Sequence, residues 1–163
     1  MSQNVPMFRK VDHVSLTVED IDEAIEFYTR VMGAELRYRM GPFDAREIPR
    51  GEDGRDWTDA HVQVPDARLN IAMLKLCENL GMELFQYDRP EDAATVPPRN
   101  CDVGARHICL QVDDVEAAIN YLAENGCSAM AGPIVSEGGP APDSLSWYVT
   151  DPFGHQMELV QYT

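Results

Sequence analysis

A chain of 163 residues with 44% apolar side chains can bury a real core in one domain or two small modules, which excludes wholesale disorder. Its 13 basic and 28 acidic residues leave a formal net charge of -15, a field that repels phosphate backbones and argues against a nucleic-acid partner. No apolar run approaches the roughly 18 residues of a membrane span, and Met1-Ser2-Gln3-Asn4-Val5-Pro6 lacks the basic-then-apolar layout of a leader, so a cytoplasmic protein without a membrane partner is expected. Cys77, Cys101, Cys109 and Cys127 show no CxxC spacing and read as buried free thiols rather than disulfides or a zinc knuckle.

Residues 11–18 alternate as a strand, with Val14, Leu16 and Val18 on one face and His13, Ser15 and Thr17 on the other. A helix follows, capped by Asp20 with Glu23 completing a capping box, buried along Ile21, Ala24, Ile25 and Tyr28, and ended by Gly33. Strands are expected near 34–40, 69–77 and 81–87. Between the first two lies a polar insertion, 41–67, with Arg46, Arg50, Arg55 and a short helix around Trp57 to Val62; such a segment acts as a lid or binding loop. A linker over 88–104, containing Pro90, Pro97 and Pro98, leads to a second series. This comprises a strand at 105–112, a helix at 114–125 closed by Gly126, and strands near 127–130, 144–150 and 155–161, with a Gly- and Pro-rich loop over 131–143.

The two series repeat one another. Met82-Glu83-Leu84-Phe85-Gln86-Tyr87 returns as Met157-Glu158-Leu159-Val160-Gln161-Tyr162, and Asp12-His13-Val14-Ser15-Leu16-Thr17-Val18 is echoed by Arg106-His107-Ile108-Cys109-Leu110-Gln111-Val112. The glutamates are displaced by fewer positions than the histidines, as expected of an internal duplication whose first copy carries an insertion. The expected fold class is α+β, with a first βαβββ module at 8–87 and a second at 105–162.

Alternation turns His13 and His107 away from the helix-packing face of their strands. It places Glu83 with Phe85 and Tyr87, and Glu158 with Val160 and Tyr162. If the modules pair about a pseudo-twofold axis, two His and two Glu converge in one cup. Two carboxylates in one cavity need protonation or a cation, and imidazole with carboxylate suits Zn, Ni, Co, Mn or Fe(II). His13, Glu83, His107 and Glu158 are therefore the candidate ligands of a divalent metal ion.

These four residues, with Asp151-Pro152-Phe153-Gly154-His155-Gln156-Met157-Glu158-Leu159, resemble the vicinal oxygen chelate superfamily of glyoxalase I, epimerases, extradiol dioxygenases and bleomycin- and fosfomycin-resistance proteins. The resemblance implies paired modules forming a cupped, open eight-stranded barrel-like sheet around a metal chelated by vicinal oxygens of a small-molecule substrate, in a chain that forms a homodimer. Glu83-Leu84-Phe85-Gln86-Tyr87 and Pro97-Pro98-Arg99-Asn100, with Asp102-Val103-Gly104, are similar to a branch containing cyclitol (valiolone-type) epimerases.

The function expected is that of a metal-dependent isomerase or epimerase of a small hydroxy-carbonyl compound, working through an enediolate. A cation holding carbonyl and hydroxyl stabilises that species while a glutamate moves the proton. Glu158 and Glu83 are the candidate catalytic residues; the resemblance favours Glu158 as base. Three alternatives stay open: a glyoxalase-type lyase, a one-domain Fe(II) ring-cleaving dioxygenase, and a binding or resistance protein without catalysis. Retention of all four ligands argues against the last. His61, Phe85, Tyr87, Arg46 and Cys109 are candidate substrate contacts, with Tyr162 a possible further wall and Arg50 and Arg99 further cations for an anionic tail. Against these stand core packing for the aromatics, loop exposure for His61, surface counter-charge for the arginines and a spectator role for Cys109. Trp147 reads as core.

Overall fold

A computed structural model describes residues 9–163. Met1–Pro6, expected not to be a leader, and position 8, where the first module is expected to start, lie outside the described residues. The chain divides into two compact units between Asp92 and Ala93.

The first unit is a four-stranded sheet in the order β1-β4-β3-β2, formed by β1 (His13–Thr17), β2 (Glu35–Asp44), β3 (Arg68–Leu76) and β4 (Leu80–Arg89). β1 runs parallel to β4, and β3 is antiparallel to both β4 and β2. Helix α1 (Ile21–Arg30) crosses between β1 and β2. Asp20 caps it by accepting from the amides of Asp22 and Glu23 at 2.9 and 3.0 Å. Its buried stripe is Ile21, Ala24, Phe27 and Tyr28. Ile25, expected in that stripe, is only half-buried, whereas Phe27, whose ring packs edge-on against Tyr28, is buried. Gly33 follows at φ 68°, a left-handed conformation that favours glycine and turns the chain into β2.

β1 starts later than the expected 11–18, and two strands run well past their expected ends. β2 continues through Asp44, past bulges, so the ladder with β3 absorbs the beginning of the insertion. β4 continues through Arg89, two residues into the expected linker, because the Arg89 guanidinium is clamped by Asp44 at 2.7 Å and by the Asp66 carbonyl at 2.9 Å. The rest of the insertion holds a 3₁₀ turn at Ala45–Glu47 and helix α2 at Trp57–Val62.

The second unit repeats the plan, with β5 (His107–Gln111), helix α3 (Val115–Glu124), β6 (Ser128–Ala129), β8 (Ser144–Thr150) and β9 (Gln156–Tyr162) in the order β5-β9-β8-β6. β5 is parallel to β9, as β1 is to β4. A short strand β7 (Ile134–Ser136) pairs with β8, giving structure to part of the expected loop and bringing the described strands to nine. The α+β architecture in two sheets is otherwise as expected.

The repeated glutamine has a structural use. Gln86 accepts from the Ile21 amide at 3.0 Å, and Gln161 accepts from the Val115 amide at 2.9 Å, so each copy ties the last strand to the first turn of its helix. Met82 and Leu84 in one unit, and Met157 and Leu159 in the other, are buried on that same face. Each such side chain contributes about 1.5–3 kcal/mol of hydrophobic stabilisation. The opposite face of each sheet is left for the His and Glu side chains.

The cysteines depart from expectation. All four are free, but only Cys127 is buried; Cys77, Cys101 and Cys109 are exposed, the first on a turn at φ 53° and the second in the proline-bearing connection. Trp147 is half-buried, its indole N–H donating to the Met130 carbonyl at 2.6 Å, and Tyr162 is exposed at the end of β9.

Candidate active site

In the first unit the parallel register sets Ser15 of β1 opposite Glu83 of β4 and Gly81 opposite His13. This brings His13 Nε2 to 3.4 Å from Glu83 Oε2. Gly81 makes the approach possible, since a Cβ there would stand 2.7 Å from the Asp12 carbonyl oxygen and 3.0 Å from His13 Cβ. On the other side of the imidazole, Nδ1 lies 3.2 Å from Asp12 Oδ2. A carboxylate on Nδ1 fixes the ring and leaves Nε2 free to bind an electrophile.

In the second unit His107 Nε2 lies 3.2 Å from Glu158 Oε2. Here the register across β8 and β9 places Tyr148 opposite Glu158. The Tyr148 hydroxyl donates to Glu158 Oε2 at 3.3 Å and lies 3.5 Å from His107 Nε2, with its ring edge-on to the imidazole. Partial burial, helped by the Glu158 charge, pushes the Tyr148 phenol above its usual range, and partial desolvation beside Glu158 does the same to the Cys109 thiol although that residue is exposed overall, so both stay protonated at neutral pH. Cys109 stands opposite Glu158 from the β5 side.

The two pairs suit a metal. Ligands bound at about 2.0–2.2 Å to one ion stand roughly 3.0–3.5 Å apart at octahedral or tetrahedral angles, and both His–Glu separations match this. The side chains are also reachable from solvent, at 40% and 19% exposure for His13 and Glu83 and 36% and 21% for His107 and Glu158. Among the described residues no group of three or more His, Cys, Asp or Glu is gathered to hold a metal ion. Each unit presents a pair.

Beside Glu83 the first unit encloses a cavity of about 300 Å³. Its wall includes Phe85 and Tyr87, stacked with centroids 5.9 Å apart, and Trp57 and His61 from α2. Burial, and then the Glu83 charge, push the Tyr87 phenol up. Three of the candidate contacts, His61, Phe85 and Tyr87, therefore meet at one cavity with Glu83, while Cys109 sits against Glu158 in the second unit. The arginines are engaged elsewhere: Arg46 faces Asp66 at 3.9 Å, Arg50 bonds Asp66 at 2.7 Å, and Arg99 bonds Asp102 at 2.7 Å.

Helix α2 is held in place by the buried Asp56. One carboxylate oxygen accepts from the Thr58 hydroxyl at 2.6 Å and the amides of Thr58 and Asp59, and the other accepts from the Asp66 amide at 2.9 Å. Those bonds, led by Thr58 and followed by the Asp66 amide, hold its carboxyl far below the usual carboxylate range. Sequence reasoning passed over Asp12, Trp57 as a wall residue, and Tyr148. Asp12 could have been found as the carboxylate adjoining a candidate ligand; Tyr148 could have been found only from the β8–β9 register.

No described helix is long and apolar enough to cross a membrane. The Glyoxalase/Bleomycin resistance protein/Dioxygenase superfamily matches residues 10–159. Among curated relatives, a 2-epi-5-epi-valiolone epimerase from an Actinomyces species is 35% identical over 160 residues, covering 97% of this chain and 82% of that protein. A lactoylglutathione lyase from Schizosaccharomyces pombe is 29% identical over 119 residues, covering 73% of this chain but 38% of that longer protein. A crystal structure of a glyoxalase family protein from Bacillus cereus shares the fold with a TM-score of 0.75 at 19% identity, covering 99% of this chain and 98% of that one. The chain belongs to the Glyoxalase/Bleomycin resistance protein/Dioxygenase superfamily.

Proposed function

We propose that the protein is a metal-dependent epimerase or isomerase of a small hydroxy-carbonyl compound. The observation that carries this reading is the His–Glu pair, present once in each copy of the repeat at a spacing suited to a single ion. Similarity to the Actinomyces epimerase supports the reaction type, and enzymes of this superfamily supply the precedent for proton transfer rather than mere binding.

His13, Glu83, His107 and Glu158 would hold one divalent ion. When bound, such an ion polarises a carbonyl and the adjacent hydroxyl and offsets the charge that develops as a neighbouring C–H loses its proton. Asp12 orients His13, and Tyr148 steadies the Glu158 carboxylate. Glu158 would take the proton as the electron pair of the broken C–H bond moves onto the carbonyl oxygen; that pair returns to the carbon as Glu83, entering the cycle protonated, gives up its proton, and exchange of protons with solvent restores both carboxyl groups. No electrons are gained or lost, so the reaction needs no redox partner. The protein works in the cytoplasm as a homodimer on a small molecule.

Incubating the metal-loaded protein with 2-epi-5-epi-valiolone in deuterated water tests this. Deuterium entering the carbon beside the carbonyl, without oxygen uptake, is expected, and the Glu158→Gln variant should lose it. Oxygen consumption with ring cleavage, or conversion only of a glutathione hemithioacetal to lactoylglutathione, would replace the epimerase reading with the dioxygenase or the lyase.

A further inference from the structure

Of the six asparagines in the chain, Asn125 alone is followed by glycine. An asparagine side-chain amide is open to attack by the backbone nitrogen of the next residue, which closes a five-membered imide. A side chain on that next residue obstructs the ring, whereas glycine has the backbone freedom to form it. The pair Asn125-Gly126 stands where α3 ends: Asn125 is the C-terminal cap and half-buried, and Gly126 follows it, exposed, at φ 92°.

The fold holds both reacting groups in hydrogen bonds. Asn125 Nδ2 donates to the Tyr121 carbonyl at 2.8 Å, which ties the side-chain amide back to the helix. The Gly126 amide donates to the Ala123 carbonyl at 3.3 Å, and the amides of Asn125 and Cys127 both close on the Leu122 carbonyl at 3.0 Å. Ring closure needs the Gly126 nitrogen without its proton and free to swing toward Asn125 Cγ, so these bonds must first open. Helix ends are among the parts of a fold that open most readily. The turn is also poorly suited to the acid that results. α3 has no basic residue in its last turn, so a carboxylate there faces the negative end of the helix without a counter-charge. A carboxylate also has no N–H to give the Tyr121 carbonyl.

We propose that Asn125 is a site of spontaneous deamidation, that opening of the last turn of α3 sets its rate in the folded protein, and that the product loosens the second unit. Base in the solvent takes the Gly126 amide proton, and the nitrogen attacks Asn125 Cγ. The bond from Cγ to Nδ2 breaks, and the side-chain nitrogen leaves as ammonia. Water then opens the imide to an aspartate or, through the other carbonyl, to an isoaspartate with an extra methylene in the main chain. The altered segment joins α3 to the buried Cys127, and α3 packs on β8 and β9, the strands of Tyr148 and Glu158. The proposal is independent of the epimerase reading and survives its failure.

The test ages the purified protein in mildly alkaline buffer at physiological temperature, maps its peptides by mass and measures released ammonia. The peptide carrying Asn125 should gain the mass of an acid while the other asparagines stay amides. Asp53-Gly54 can close a similar ring, but it releases no ammonia and changes no mass, so it does not confuse the reading. Held unfolded in guanidinium chloride, the same chain should deamidate at Asn125 about tenfold faster or more, since the bonds that restrain the turn are gone. The Asn125→Asp variant, which carries one of the two products, should unfold at a lower urea concentration than the parent. An Asn125 that stays an amide throughout, another asparagine converting first, equal rates in folded and unfolded chain, or an Asn125→Asp midpoint at or above that of the parent would overturn the proposal. The site and its rate are read on the unmutated chain, so a variant that fails to fold does not blunt the test.

Discussion

Glu83 and Glu158 occupy equivalent places in the two copies, yet their neighbours differ. Ser15 and Met73 stand opposite Glu83, whereas Cys109 and Tyr148 stand opposite Glu158. A phenol held in its protonated form by burial and by the Glu158 charge is a hydrogen-bond donor at neutral pH. Its bond to Glu158 limits the rotamers of the carboxylate, so it acts on the reaction through position. A bond to a charged acceptor contributes about 1.5–3 kcal/mol. The Tyr148→Phe variant should therefore lower kcat about tenfold to hundredfold with KM little changed, while its urea midpoint stays near that of the parent. Steady-state kinetics beside a denaturation curve checks this, and full kcat in the variant would remove the hydroxyl from the mechanism. The His and Glu of each pair were legible in the sequence because alternation fixes which face a strand residue takes. Tyr148 was not, since its value depends on a cross-strand register that no local pattern encodes.

Each helix is tied to its sheet by a side chain from the last strand of its own copy. Gln161 accepts from the first amide of α3, a donor that the helix itself cannot satisfy. Replacing Gln161 by Leu should cost about 1 kcal/mol in urea unfolding, whereas replacing the exposed Gln111 by Ala should stay within about 0.5 kcal/mol. Equal losses in the two variants would show that the glutamine is not a capping device. Most elements could be read from periodicity and caps: Asp20 and Asp114 cap α1 and α3, and α2 falls at Trp57–Val62 as expected. Where the reading fell short, tertiary contacts were responsible. β2 runs on to Asp44 because β3 supplies a partner for it, and β7 exists because β8 offers a free edge. Phe27, rather than Ile25, joins the buried stripe, its ring edge-on to Tyr28.

At the scale of the whole chain, duplication is what makes the function readable. A single His–Glu pair on a sheet is ambiguous, but its recurrence at matching register positions in both units ties the repeat to a shared chemistry. Among the residues lining the first unit's cavity there is no Lys or Arg. The insertion could be recognised from sequence as a binding segment. Its contribution of Trp57 and His61 to a cavity wall could not, because it depends on Asp56 pinning α2 from within the fold. One divalent ion per chain, held jointly by His13, Glu83, His107 and Glu158, is tested most directly by metal analysis of the purified protein beside His13→Ala and His107→Ala. One equivalent in the parent, with each variant losing most of it, is the predicted result. No stoichiometric metal in the parent, or two equivalents of which each variant loses only one, would contradict a single ion held by these four residues.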